Sequence, residues 1–267
     1  MRKVIRKISA AIVATTITVA MCATCFAGTT FEGYFGQREN WYEGADGSLS
    51  GATASSFSAD MDAIGWGGVW GAQAHRDITV KKGQKYTLSF KATTTTAEKW
   101  VFFKVTDSQD TVVYADWLHL QPGVTENYKA TFKASANATF IYYGMGGEFG
   151  DRTEEQGDIY ALSEVLPNDA DSSFSTSVKV TNFKCVKSKA KLKVTKDKKK
   201  NGIALYNYLK KNGKIFKQVG DFVCTIQTSG NKIQIKAIQN QEVVADVKLA
   251  KNKPQATVKK LRSSIAS

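Results

Sequence analysis

The chain has 267 residues, four cysteines and a formal net charge of +13. So few cysteines exclude a disulfide scaffold, and the core must come from hydrophobic burial. The charge is unevenly distributed: residues 28–183 carry 12 basic and 20 acidic side chains, whereas residues 184–267 carry 21 basic and 4 acidic ones. This asymmetry predicts two modules with different partners or contact surfaces.

Residues 1–27 have the three-part form of a secretory signal peptide. An apolar, threonine-containing run ends in small residues at Ala27 and is preceded by the basic residues Arg2, Lys3, Arg6 and Lys7. A retained membrane anchor is the alternative, but the run is short, and no later segment is apolar enough to span a bilayer. We expect cleavage after Ala27 and a secreted or cell-surface protein.

Between Tyr34 and Val186 the sequence consists of short segments in which apolar and polar residues alternate. Period-two alternation, aromatic enrichment and regular turn signals predict antiparallel strands. The segments are 85–92, 99–105, 127–134, 139–145 and 177–187. For residues 28–187 they predict an all-β fold of the jelly-roll β-sandwich type.

The segment 146–173 is acidic and rich in turn residues. Paired carboxylates carry out glycoside hydrolysis, so Glu148, Asp151 and Glu154 are candidate catalytic residues under an enzymatic alternative. Their spacing of three in a glycine-containing loop instead favours a solvated acidic loop. With two histidines and no GxSxG or HExxH motif, the chain gives little support to a serine-hydrolase or zinc site.

The C-terminal region is strongly basic. A lysine-rich boundary at 188–200 precedes further strand-like segments, which predict a small immunoglobulin-like β-domain over 201–253 and a flexible tail over 254–267. The run IALYNYLKK within it is also compatible with one or two helical turns. Cys185 and Cys224 remain after signal cleavage. They either form a disulfide or are two buried free thiols, and the sequence is compatible with both.

Residues 29–187 resemble the CenC-like carbohydrate-binding modules, which are jelly rolls attached to bacterial polysaccharide-degrading enzymes. The resemblance is carried by an opening Phe-Glu pair with a later tryptophan, a Trp-x-x-Gln strand running into Gly-x-x-Tyr-x-x-x-Phe-x-Ala, a Tyr-x-x-x-Phe pair, an aromatic strand ending in glycine, and a final strand. The matching positions are Phe31, Glu32, Trp41, Trp70, Gln73, Gly83, Tyr86, Phe90, Ala92, Tyr128, Phe132, 143–146 and 180–183.

The resemblance implies a non-catalytic module that docks a polysaccharide chain, of plant cell-wall type, in an aromatic-lined groove. It implies no catalytic cofactor but leaves a structural calcium open. Thr181 stands where the family often has a calcium-binding aspartate, so Glu32 is the one remaining candidate ligand, and calcium needs several oxygens.

Sugars stack their C–H faces on aromatic rings while polar side chains bind their hydroxyls. Strand alternation puts Trp70 in the core, in the parity of Ala72 and Ala74, and puts Trp100 and Tyr142 on the opposite side from the core. The candidate stacking residues are Trp66, Trp100, Tyr142 and Trp117, and the candidate hydroxyl contacts are Gln73, His75 and Arg76.

Two further interpretations stay open. A structural surface protein would bury these aromatic residues in its core. The basic C-terminal region predicts either contact with an anionic cell-envelope polymer or a merely solvated surface. Its lysines greatly outnumber its arginines and export removes nucleic acid from reach, so we expect no nucleic-acid partner.

Overall fold

The computed structural model describes residues 30–36, 45–64, 69–146, 175–193, 195–219, 222–239 and 242–252. Among the described residues up to Lys187, the chain forms ten strands and one 3-10 turn at Val69–Gly71. The strands are β1 (Glu32–Phe35), β2 (Ala45–Ser50), β3 (Phe57–Ile64), β4 (Ala72–Val80), β5 (Lys85–Thr94), β6 (Lys99–Thr106), β7 (Tyr114–Leu120), β8 (Glu126–Lys133), β9 (Ala138–Gly144) and β10 (Thr176–Lys187). The described residues after Lys187 form the helix α1 (Lys198–Asn212) and the strands β11 (Lys214–Val219), β12 (Phe222–Ser229), β13 (Lys232–Gln239) and β14 (Glu242–Ala250).

Two sheets form the sandwich. The five-stranded sheet has the order β1-β4-β9-β6-β7, and the nine-stranded sheet has the order β14-β13-β12-β11-β8-β5-β10-β3-β2. The all-β sandwich is thereby confirmed, and the five predicted segments correspond to β5, β6, β8, β9 and β10.

The core lies between the inner faces of the two sheets. Alternate residues of each strand are buried there, such as Tyr86, Leu88 and Phe90 of β5 and Val101 and Phe103 of β6. Burying each large apolar side chain contributes roughly 1.5–3 kcal/mol, which makes this alternation the main determinant of strand register. The residues between them are directed to the two outer faces of the sandwich.

The C-terminal region differs from the expected immunoglobulin-like pair of sheets. Its strands β11–β14 form one antiparallel meander, and α1 covers one side of it by packing Leu205, Tyr206 and Leu209 on Ile226, Ile233, Ile235 and Leu249. The ends of α1 explain why a helix forms. Asp197 accepts hydrogen bonds from the backbone N–H of Lys199 and Lys200, and Gly213, with φ 77°, donates to the Leu209 carbonyl.

The meander continues the large sheet because β11 pairs in parallel with β8, over Lys214–Ala130 to Phe216–Phe132. Phe216 is 4% exposed and belongs to the main core. Lys214 forms an ion pair with the buried Asp116 of β7, whose carboxylate also accepts hydrogen bonds from the Tyr114 and Tyr128 hydroxyls. The division into residues 28–187 and 201–253 as separate domains stays a prediction.

Cys185 and Cys224 are free thiols. Cys185 packs against the main core, whereas Cys224 shares a side of the meander with Ile226, which faces α1. β10 and β12 are four strand positions apart, about 19 Å, far beyond the reach of a disulfide. Among the described residues, no helix has the length and apolar character needed to cross a membrane.

Candidate functional site

The outer face of the five-stranded sheet, which we call the aromatic face, is organised in cross-strand rows. The strand register fixes these rows because alternate residues of each strand share one side. One row contains Tyr34, Gln73, Gly144, Phe102 and Trp117. The next contains Glu32, His75, Tyr142, Lys104 and Ala115.

Trp70 lies over this face, not in the core. The Val69–Gly71 turn interrupts the alternation that begins at Ala72, so parity counted back from β4 does not apply to Trp70. The turn packs on Gly144, where an added Cβ would lie 3.0 Å from the Val69 carbonyl oxygen and 3.1 Å from Trp70 Cε3. The missing side chain of Gly144 therefore lets Trp70 lie close to the sheet.

The centre of the aromatic face is a packed aromatic cluster. The Trp70 and Phe102 rings meet edge to face at 5.4 Å, and the Phe102 and Trp117 rings are 4.7 Å apart. Phe102 is fully buried and Trp117 is 7% exposed, whereas Trp70 is half-buried. Of these three rings, Trp70 offers the most surface to a ligand.

Trp100 occupies one end of the face and is half-buried. The His119 ring stacks on it at 4.2 Å with 12° between the planes. His119 in turn contacts the Glu98 carboxylate. Hydrogen bonds from Gln121 and from His119 lower the pKa of Glu98, so this carboxylate remains charged at neutral pH.

Tyr142 is the second half-buried stacking candidate, and it has a similar neighbourhood. The His75 ring stacks on it at 5.2 Å and 21°, and His75 Nε2 is 3.7 Å from Glu32 Oε2. Gln73, on the same strand as His75, donates a hydrogen bond from Nε2 to the Trp70 carbonyl, at 2.6 Å. The structure thus brings Gln73, His75 and Tyr142 together on one face.

Lys104 places a positive charge in the middle of the aromatic face. Its Nζ lies 4.3 Å from the centre of the Trp70 ring and 2.6 Å from Asp110 Oδ1. Burial lowers the pKa of Lys104, and the Asp110 carboxylate opposes that effect. Lys104 therefore orients Trp70 by a cation–π contact while its charge is balanced by Asp110.

Arg76, a candidate for hydroxyl contacts, is on the other side of β4. It is 7% exposed, its Nη1 donates to the Ala54 carbonyl, and its guanidinium lies 5.6 Å from the centre of the Phe31 ring and 5.3 Å from that of Phe183. Alternation explains this position, since Arg76 has the parity of the buried Ala74. Arg76 therefore fixes the interior and does not reach the aromatic face.

A structural calcium stays a prediction. Glu32 is on the aromatic face beside His75. The Arg76 guanidinium contacts the rings of Phe31 and Phe183, which are close in the chain to Glu32 and Thr181. A fixed positive charge there disfavours a cation. In the ranges that the structure describes, no three His, Cys, Asp or Glu side chains converge as metal ligands.

Several candidates lie outside the described residues. These are the stacking candidate Trp66 and the alternative catalytic residues Glu148, Asp151 and Glu154. Conversely, sequence reasoning did not select Trp70 or Lys104 as site residues. Lys104 has the same parity as Trp100 and Phe102, and that signal could have identified it.

No known protein-family model matches the chain, and no curated protein matches it. Solved structures that it resembles include a CBM4 structure, at 14% identity and a TM-score of 0.43 over 59% of this chain and 86% of that one. Another is the N-terminal cellulose-binding domain of a Cellulomonas fimi β-1,4-glucanase, at 15% identity and 0.39 over 60% and 90%.

A third is a family 11 carbohydrate-binding module of a Clostridium thermocellum cellulosomal cellulase, at 14% identity and 0.33 over 61% and 91%. These three are carbohydrate-binding modules or domains, and the chain also resembles a bacteriophage tailspike domain and an exo-β-agarase. Similarities at such low identity and TM-score carry no functional argument for this chain, and membership of the CenC-like family stays a proposal.

Proposed function

We propose that the protein is a non-catalytic carbohydrate-binding protein that holds a polysaccharide chain on its aromatic face. One observation carries the proposal. Among the described residues, every half-buried aromatic side chain except Phe35 lies on this face; the set is Tyr34, Trp70, Trp100, Phe140 and Tyr142. Half-buried aromatic rings beside polar side chains are what sugar binding requires.

The stacking platforms of the proposed site are Trp70, Trp100 and Tyr142. Gln73 and His75 supply hydroxyl contacts beside Tyr142, and His119 and Glu98 do so beside Trp100. Trp117 supports the site from below, because its ring packs against Phe102 and is almost fully covered. The proposal includes that these residues line a groove and that Trp66 contributes to it.

A purely structural protein is the competing interpretation. It requires the stacking candidates to be buried completely, whereas Trp100 and Tyr142 each retain accessible surface. The hydrolase alternative depends on Glu148, Asp151 and Glu154, which are outside the described residues. Secretion, cell-surface location and a plant cell-wall polymer as ligand belong to the same proposal as the binding face.

Affinity electrophoresis tests the proposed function. Residues 28–267 are run through gels that contain xylan, mixed-linkage β-glucan, xyloglucan, mannan or starch, beside Trp100→Ala, Tyr142→Ala and the control Val186→Ala. Val186 is exposed on the opposite side of the sandwich. We expect one polymer to retard the wild type and the control, and each aromatic variant to lose about tenfold in affinity.

Absence of retardation by every polymer would refute the proposal. Equal retardation of all four proteins would instead place binding elsewhere on the molecule. Release of reducing sugar by the purified wild type, abolished by Glu148→Gln or Asp151→Asn, would support the hydrolase alternative.

A further inference from the structure

The outer face of the nine-stranded sheet is covered with lysines. On β5, β8, β10 and β11 the residues that alternate with the buried core positions are directed outward, on the side that carries α1 further along the sheet. We call this surface the lysine face. Its lysines are Lys85, Lys91, Lys129, Lys133, Lys179, Lys184 and Lys217.

Short hydroxyl-bearing side chains separate these lysines. Thr87 and Ser89 occupy positions between Lys85, Lys91, Lys129 and Lys133, whereas Thr131 is buried there and donates a hydrogen bond to the Asn212 carbonyl. Val186 is the one strongly exposed apolar residue on this face of the described strands. Asp60, on the same side of the neighbouring strand β3, lies opposite Ser177 of β10 and accepts hydrogen bonds from the Ser50 and Ser58 hydroxyls. None of the seven lysines forms an ion pair within the described ranges.

The lysines are most crowded in one row. Lys85 is paired with Lys133 across β5 and β8, and the parallel register of β11 places Lys217 next to Lys133, at strand spacings of about 4.8 Å. Burial lowers the pKa of Lys85, and the charges of Lys217 and Lys133 lower it further. Near this row α1 ends with Lys210 and Lys211 exposed, and the Lys211 carbonyl accepts a hydrogen bond from Lys129 Nζ.

We propose that the lysine face binds an anionic polysaccharide, a linear polymer that carries carboxylates on its sugar residues. Repeated negative charges complement the repeated ammonium groups, and serine and threonine hydroxyls suit the sugar hydroxyls between them. On the described strands β5, β8, β10 and β11, no outward position of this face carries an aromatic side chain on which nucleic-acid bases would stack. It also lacks the apolar stripe by which a surface enters a lipid interface.

This proposal is independent of sugar binding on the aromatic face. It also changes the position of the expected anionic contact. The sequence placed that contact on the basic C-terminal region, whereas five of the seven lysines come from the acidic region 28–183. The folded sheet thus assembles a basic surface from both regions of the chain.

The test uses residues 28–267 and polygalacturonate as the probe, in affinity electrophoresis at low and moderate salt. The variant Lys133→Gln with Lys217→Gln is compared with the control Lys232→Gln with Lys248→Gln. The control removes the same charge from exposed residues on the opposite face of the meander. We expect the first pair to weaken binding about fivefold and the control by less than about twofold, with smaller differences at higher salt.

Equal weakening by both pairs would mean that net charge, not the lysine face, attracts the polymer, and would overturn the proposal. So would a wild type that is not retarded by polygalacturonate at low salt. The neutral polymer that the wild type binds best serves as a second probe. Neither pair should alter retardation by it, so the two proposals fail separately.

Discussion

The two outer faces of the sandwich share one core but have opposite chemistry. The aromatic face combines half-buried rings with Glu32, Glu98 and Asp110, and the Val69–Gly71 turn lies over part of it. The lysine face carries lysines with Thr87 and Ser89 between them, and the charges of Lys133 and Lys217 repel that of Lys85. Because sheet alternation directs neighbouring residues to different sides, chemistry is sorted by face and not by position along the chain.

The largest effect is expected for the reactivity of Cys224, which lies on the side of the large sheet that α1 covers, whereas the lysine face on the same side is not covered by the helix. Burial raises the pKa of Cys224 to about 11 and that of Cys185 to about 12. An unfolded thiol titrates near 8.5, so the thiolate fraction of Cys224 at pH 8 rises on the order of 200-fold on unfolding. We expect Ellman's reagent to label Cys224 rapidly only in denaturant. A Cys185–Cys224 disulfide found by mass spectrometry in the native protein would contradict the arrangement of the faces.

The next prediction concerns the Lys214–Asp116 ion pair, which lies where β11 joins β8 in the large sheet. Lys214→Met would leave the Asp116 carboxylate buried between Tyr114 and Tyr128 without its cation. We expect the free energy of unfolding to fall by about 3 kcal/mol in urea denaturation, since a buried charge loses its partner. Adding Asp116→Asn should recover part of the loss. Additive effects in this double-mutant cycle would show that β11 is not anchored through this pair.

Sequence alternation predicted much of the candidate site. It placed Trp100 and Tyr142 on the side away from the core, and both are half-buried there. It did not predict the complete burial of Phe102 on the same side, which results from packing under Trp70 and against Trp117. It could not predict the position of Trp70, because a three-residue 3-10 turn resets parity. Arg76 was selected for its charge, yet its parity is that of the buried Ala74.

The fold beyond β10 had a weaker sequence signal. Parallel pairing of β11 with β8 joins residues about 80 positions apart, and no local pattern encodes such a partner. The helix α1 was one of two interpretations of IALYNYLKK, and Asp197 before three lysines was a capping signal that favoured it. The lysine face became visible only when strand order brought Lys217 beside Lys133.

A smaller loss of stability is expected from Gly144→Ala. This substitution tests whether the Val69–Gly71 turn packs on the aromatic face, since no such turn covers the position compared with it on the lysine face. The new Cβ would approach the Val69 carbonyl and the Trp70 ring, so the turn must move away from the sheet. We expect a loss of about 1 kcal/mol in stability and a shifted tryptophan emission. The matched change Ser89→Ala on the lysine face should alter stability by less than about 0.5 kcal/mol. Equal effects would mean that the turn does not pack on Gly144.

The smallest effect is expected for Lys217→Gln, which relieves repulsion on the lysine face. The pKa of Lys85 in the folded protein is below its ordinary value of 10.5, first because of burial and then because of Lys217 and Lys133. Between these two pKa values the unfolded chain binds more protons, so stability rises with pH across that window. Lys217→Gln should move the pKa of Lys85 in the folded protein back toward 10.5, which narrows the pH range over which stability rises. At neutral pH and low salt, we expect it to increase the free energy of unfolding by a few tenths of a kcal/mol, and at high salt we expect no change. Thermal unfolding at two salt concentrations measures this change, and a stability loss that persists at high salt would mean that Lys217 contributes packing instead of repulsion.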